Sequence, residues 1–313
     1  MAAQTDDGFS QFDELLAAAD TDASPWVSGR YLPDLDLLTS LLSLPISQGD
    51  KQESGRPAKA FDAWIAHELR RAGFPVDGVW PRLSRPRVLG EGLSSLEVKL
   101  NDLVHQFNAL EATGERVRPP AFRKAIRALE THALGTSSAY ILGDFYSKQI
   151  DVGLSSWRRG PDLLISTKTM FSAYSKNLKN RHEEAVGEVA SLRRRHPMAA
   201  MGYAYLVRQD ILSQPKSYAT LYDILSRLRR PGETFDATLL LVVDWDEQDP
   251  SAGITLLDQP AEQLGAAQFF GDLIGAALDR SPSREHEEVR LRHGGVPVGG
   301  LDPVEDDDNL DEI

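Results

Sequence analysis

Asp151 and Lys168, seventeen residues apart, open and close two short segments that can pair as a β-hairpin. A carboxylate holds a hard cation through oxygen. A lysine beside it orients or deprotonates an attacking water, or carries charge near a scissile phosphate. Such groups suit phosphodiester cleavage, provided they are held at a fixed separation. A hairpin provides that, because the start of one strand and the end of the next lie at the same end of the sheet. The turn between the segments carries Trp157, Arg158 and Arg159, an aromatic beside two cations, which is the combination that stacks on bases or packs on a nucleic-acid backbone. Asp162 opens the second segment, and a helical stretch beyond it supplies Glu183, Glu184 and Glu188 together with Lys176, Lys179 and Arg181. Plainer roles exist for several of these groups. Glu183 and Glu184 follow Lys179 at salt-bridge spacing, and Arg193, Arg194 and Arg195 close the helix where its dipole favours cations. His67, His182 and His196 have no zinc-like spacing.

The elements that must position these groups are legible from periodicity. Leucines between 35 and 44 predict a short helix. Phe61, Trp64, Ile65 and Leu69 repeat at helical spacing over 58–72, with Gly73 where a C-cap belongs. The segment 81–92 reads as a connection, 93–110 as a helix, and 121–132 as another helix opened by Pro119 and Pro120. The character then changes. Segments 139–145, 149–154 and 162–169 read as three strands, the last two joined by a hairpin. Helix 176–194, strand 199–207, helix 218–228, strand 237–244 and helix 261–278 follow. The order β-β-β-α-β-α-β-α predicts an α/β (α+β) fold with a mixed central sheet flanked by helices and a helical N-terminal region. The expected divisions are 1–56, a helical or flexible segment; 57–134, helical, with a first core helix at 58–73 and an insertion; 135–282, the α/β core; and 283–313, a disordered acidic tail.

The run Gln149-Ile150-Asp151-Val152-Gly153, followed by Gly160-Pro161-Asp162-Leu163-Leu164-Ile165-Ser166-Thr167-Lys168, resembles the PD-(D/E)XK nuclease superfamily, which includes most type II restriction endonucleases. The resemblance covers roughly 135–208. It implies a restriction-endonuclease-like fold, a magnesium or manganese cofactor, double-stranded DNA as substrate and a homodimer. A companion methyltransferase and a part in phage defence would go with a restriction enzyme. Repair, recombination and mobile-element nucleases of the same fold, or a degenerate binding protein, are the alternatives. By the motif, Asp151 matches the first acid and Lys168 the lysine. Position 166 departs from it, since Ser166 supplies no anionic ligand. Some restriction enzymes of the superfamily carry the same Ser-X-Lys variant and recover the carboxylate from a glutamate on the following helix. Here that implies Glu183 or Glu184, fifteen and sixteen residues after Lys168, with Glu188 one turn further. Asp162 ranks behind Asp151, being about 13 Å from Ser166 along an extended strand. The superfamily often adds an acid from an early helix, for which Glu68 is the best match and Glu130 the alternative.

Composition sets the outer limits. A chain of 313 residues can bury at least one full core, and the absence of cysteine excludes disulfides, Cys-ligated zinc and thiol catalysis. A formal charge of -13 argues at first against a polyanion partner. Its distribution alters that reading. Residues 284–313 carry ten acids against three arginines, while 156–195 carry nine cations against four acids. No basic leader or long apolar run is visible, so the expectation is a soluble, cytoplasmic protein with no membrane partner.

Overall fold

A computed structural model of the chain describes residues 8–50, 52–89, 94–112, 124, 136, 138–156, 159–257 and 262–294. The helices are α1 (Asp13–Ala18), α2 (Leu35–Ser47), α3 (Arg56–Arg71), α4 (Ser94–Ala112), α5 (Tyr174–Arg195), α6 (Pro215–Leu228), α7 (Ala266–Arg280) and α8 (Glu287–Arg292). The strands are β1 (Trp26–Val27), β2 (Arg30–Tyr31), β3 (Val79–Trp80), β4 (Ala139–Leu142), β5 (Ser147–Ile150), β6 (Val152–Ser156), β7 (Gly160–Met170), β8 (Ala200–Arg208), β9 (Ala237–Trp245) and β10 (Ile254–Leu256). Among the described residues no helix is long and apolar enough to cross a membrane.

Six strands form one mixed sheet in the order β10-β9-β8-β7-β6-β3. β7, β8 and β9 run parallel, whereas β6 pairs antiparallel with β7 as a hairpin. Both faces are covered, which explains why Leu163-Leu164-Ile165 is apolar at every position rather than alternately. Leu163 and Ile165 pack with Phe61, Trp64 and Phe269 from α3 and α7. Leu164 faces the other way, among Leu178 and Val189 of α5 and Leu221 of α6.

α3 is buried almost all round, between α2 and the sheet. Pro57 suits its first turn. Gly73, just past its end, has φ +104°, and an added Cβ would stand 2.9 Å from Glu288 Cγ. A side chain there would thus be strained and would also meet α8.

Three expectations change. The stretch 149–154 is two strands, because β5 leaves the main sheet to pair with β4, and the chain bends at Asp151. Residues 8–50 are no separate segment, since Phe9, Phe12, Leu38 and Leu42 belong to the same core as α3 and the sheet. The C-terminal segment does not become a tail at 283: α8 folds back with Val289 fully buried, and Arg292 donates to the Thr21 and Arg71 carbonyls. The short edge strands β3 and β10 carry no sequence signal of their own. The expected helix 121–132 lies outside the described residues.

Candidate active site

The β6–β7 ladder ends at the pair Val152 and Ile165. Beyond it β5 diverges, while β7 continues parallel to β8 as far as Met170. Asp151 sits at this fork. Its Oδ2 accepts the backbone N–H of Thr167 at 2.8 Å, taking the place of a ladder hydrogen bond where the two strands part. The fork therefore turns the chain and presents a carboxylate in one step.

Thr167 joins this acid to a second one. Its side chain points to the α3 face, and its hydroxyl donates to Asp62 Oδ1 at 2.5 Å. Asp62 is only 7 % exposed. Burial first, and then the negative charge of Asp151, pushes the Asp62 carboxyl up to about 8. Burial also raises Asp151, with Lys168 the main opposing charge. Lys59 opposes both shifts. Two desolvated carboxylates, both bonded to Thr167, thus share one site with incomplete counter-charge, an arrangement that favours uptake of a proton or a cation.

The neighbouring residues of β7 point to the α5 face. The Ser166 hydroxyl donates to Glu188 Oε1, and Glu188 is buried and raised by that burial, against the charge of Lys168. Lys168 Nζ stands 5.9 Å from the Tyr203 ring centroid. Glu184, one turn before Glu188, is exposed and pairs with Arg181 at 2.6 Å. Burial alone would raise Glu184, but the Arg181 hydrogen bond and Lys168 outweigh it and hold the carboxyl below its ordinary value. The charge of Lys148 on β5 reaches both Glu184 and Glu188.

Of the residues singled out from sequence, Asp151, Ser166, Lys168 and Glu188 come together, with Glu184 at the rim. Glu183 instead lies on the solvent side, 3.9 Å from Lys179. Asp162 is at the far end of β7, bound to Arg159 at 2.9 Å, and Arg159 in turn pairs with Glu285. Glu68 points away from the fork, where it accepts from Tyr31 Oη, the Asp34 N–H and Arg71. It ties α3 to the segment before α2, and burial pushes its carboxyl up to about 6. Lys176, Lys179 and Arg181 are exposed along α5. Arg193 is committed to Asp236 and the Ala199 carbonyl. Trp157, Arg158 and Glu130 lie outside the described residues.

Asp62, Lys59 and Lys148 are the participants that periodicity misses. Asp62 carried one signal, being the sole charged residue in the otherwise apolar run 60–66.

The donor set for a metal is all oxygen, from carboxylates, Ser166 and Thr167, and suits a hard divalent cation. Among the described residues no three acidic or histidine side chains are arranged as a ready cage. Comparison with family models, curated proteins and solved structures finds no match, so the functional reading rests on the geometry and chemistry of the fork.

Proposed function

We propose that the chain is a divalent-metal-dependent DNA endonuclease of the restriction-enzyme type, with its active centre at the β6–β7 fork. One observation carries this reading: two helices on opposite faces of the sheet each bring a buried acid, Asp62 and Glu188, to the residues that flank a strand-edge aspartate and lysine. A structural role alone would not require three desolvated carboxylates so close to one another, since each costs folding free energy unless compensated.

Asp151 and Asp62 would hold magnesium or manganese, with Glu188 released from Ser166 as the further ligand. The bound ion would supply Lewis acidity at the phosphate and a more acidic water. Asp62, protonated through neutral pH, gives up its proton to become a ligand, so ion affinity rises with pH towards about 8. Lys168 holds the attacking water and balances the charge that grows on the phosphate oxygens. The exposed cations Lys176, Lys179 and Arg181 position the backbone, and base readout falls to other loops. Cutting both strands of a symmetric site would need two copies, and a companion methyltransferase would protect the host's own sites.

Supercoiled plasmid with magnesium tests the reading. Full-length protein is expected to nick or linearise it, and Lys168→Ala to slow this by about 10²–10⁴. Discrete fragments mark a restriction enzyme, and selective nicking of branched DNA marks a recombination or repair nuclease. The second reading, a binding protein that does not cut, is favoured by the Ser166–Glu188 hydrogen bond, which engages the carboxylate the motif would need. Retained DNA binding without cleavage in any divalent ion would decide for it.

A further inference from the structure

The strand that leads into Asp151 begins at a turn with an unusual surface. β4 and β5 pair from Ala139 with Ile150 to Leu142 with Ser147, leaving Gly143 to Tyr146 as the tip. Phe145 is 82 % exposed and Tyr146 55 %, although burial of such rings is worth more than that of most side chains. The tip is nonetheless pinned. The Asp144 N–H donates to Ser191 Oγ at 2.9 Å, Arg194 pairs with Asp144 at 2.6 Å, and His196 Nε2 is bonded to the Leu142 carbonyl at 2.9 Å. The rings are therefore carried outward on a fixed base.

Lys148 links this tip to the fork. Its Nζ lies 4.7 Å from the Tyr146 ring centroid, while its charge acts on Glu184 and Glu188. One cation thus stands over the Tyr146 ring and also acts by its charge on the carboxylates of α5. Tyr140 and Leu142 of β4, 63 % and 46 % exposed, extend the apolar surface behind the tip, so the pairing of ring and cation at the tip is what separates a nucleic-acid partner from a protein one. A projecting ring beside a lysine fits a nucleic-acid strand, in which every base has a face to stack and every link a phosphate.

We propose that Phe145 and Tyr146 form a stacking wedge for an unpaired base, on the strand whose phosphate Lys148 guides to the fork. The preferred substrate would then be DNA with a base out of its stack beside the cut. This rests on the nuclease reading for the identity of the strand, and the test separates the two.

Full-length Lys168→Ala protein, expected to hold DNA without cutting it, is titrated with duplexes carrying the fluorescent base aminopurine, either paired or as a single unpaired nucleotide. The unpaired form is expected to bind about tenfold tighter, the order of one base stacked on an aromatic ring, and its emission to be quenched. Adding Phe145→Ala and Tyr146→Ala should remove most of that preference, and Phe145→Trp should keep it. An unchanged preference in the double-alanine protein overturns the wedge, even if the wild type cleaves plasmid. So does an altered sedimentation mass with unaltered DNA binding, which would assign the tip to contact between copies. Failure to bind any of the duplexes overturns the wedge and the nuclease reading together.

Discussion

Replacing Asp62 by asparagine isolates the electrostatic strain at the fork. The oxygen that accepts from Thr167 is kept and the charge is lost. In the native chain the Asp62 carboxyl is raised from 3.8 to about 8, so the folded state keeps a proton that the unfolded chain has released above about pH 4. The stability this group contributes is present below that pH and is lost as pH rises through about 8. At about 1.4 kcal/mol per pH unit the full window would amount to about 5–6 kcal/mol. Relaxation around the pair reduces this, and the range found when buried charges are replaced, about 1–4 kcal/mol, is the better expectation. In chelator, the thermal stability of the wild type should therefore fall between about pH 4 and pH 8, while that of Asp62→Asn falls less, so that the variant overtakes it by several degrees. Millimolar magnesium should raise the wild type at the higher pH, because a ligand bound only to the native state stabilises it. The same addition should do little for Asp62→Asn. Parallel pH curves for the two proteins, or an equal response to magnesium, would refute the coupling of Asp62 to Asp151 and to a cation.

Glu188→Gln is expected to lower plasmid cleavage at least as far as about 10²-fold, whereas Glu183→Ala, on the solvent side beside Lys179, should leave the rate unchanged; initial rates of supercoil loss compare them. At the opposite end of the sheet, Asp236→Asn should destabilise by about 3–5 kcal/mol in urea unfolding at neutral pH, since Arg193 and Arg280 would lose their shared buried partner. The Asp236 carboxyl is held at about 2: burial would raise it, but hydrogen bonds from Arg280 and Arg193 win. Its stabilisation is present above about pH 4 and is lost as pH falls through about 2, so the difference between wild type and Asp236→Asn should shrink in acid.

Sequence by itself determined the kinds and order of the larger elements from 139 to 280, but not the division of 149–154 into two strands or the edge strand β10. Strands covered on both faces read as unbroken apolar runs, and helices with one covered side read at their own period. The motif-bearing pair, Asp151 and Lys168, was visible for the same reason, since a hairpin is local and its strands are fixed by neighbouring residues. Tertiary structure alone decided which other acids join them. Glu184 and Glu188 share one face of α5 about a turn apart, about 6 Å along the axis. The three residues between β7 and α5, together with the tilt of the helix, set the later turn over Ser166. Asp62 and Glu68 both lie in a helix buried nearly all round, where periodicity no longer distinguishes faces. Only the packing of α3 against a strand more than a hundred residues away turns the first towards Thr167 and the second towards Tyr31. Local patterning specifies what each segment becomes. The meeting of charges from distant segments depends on register and packing angle, which are properties of the assembled core.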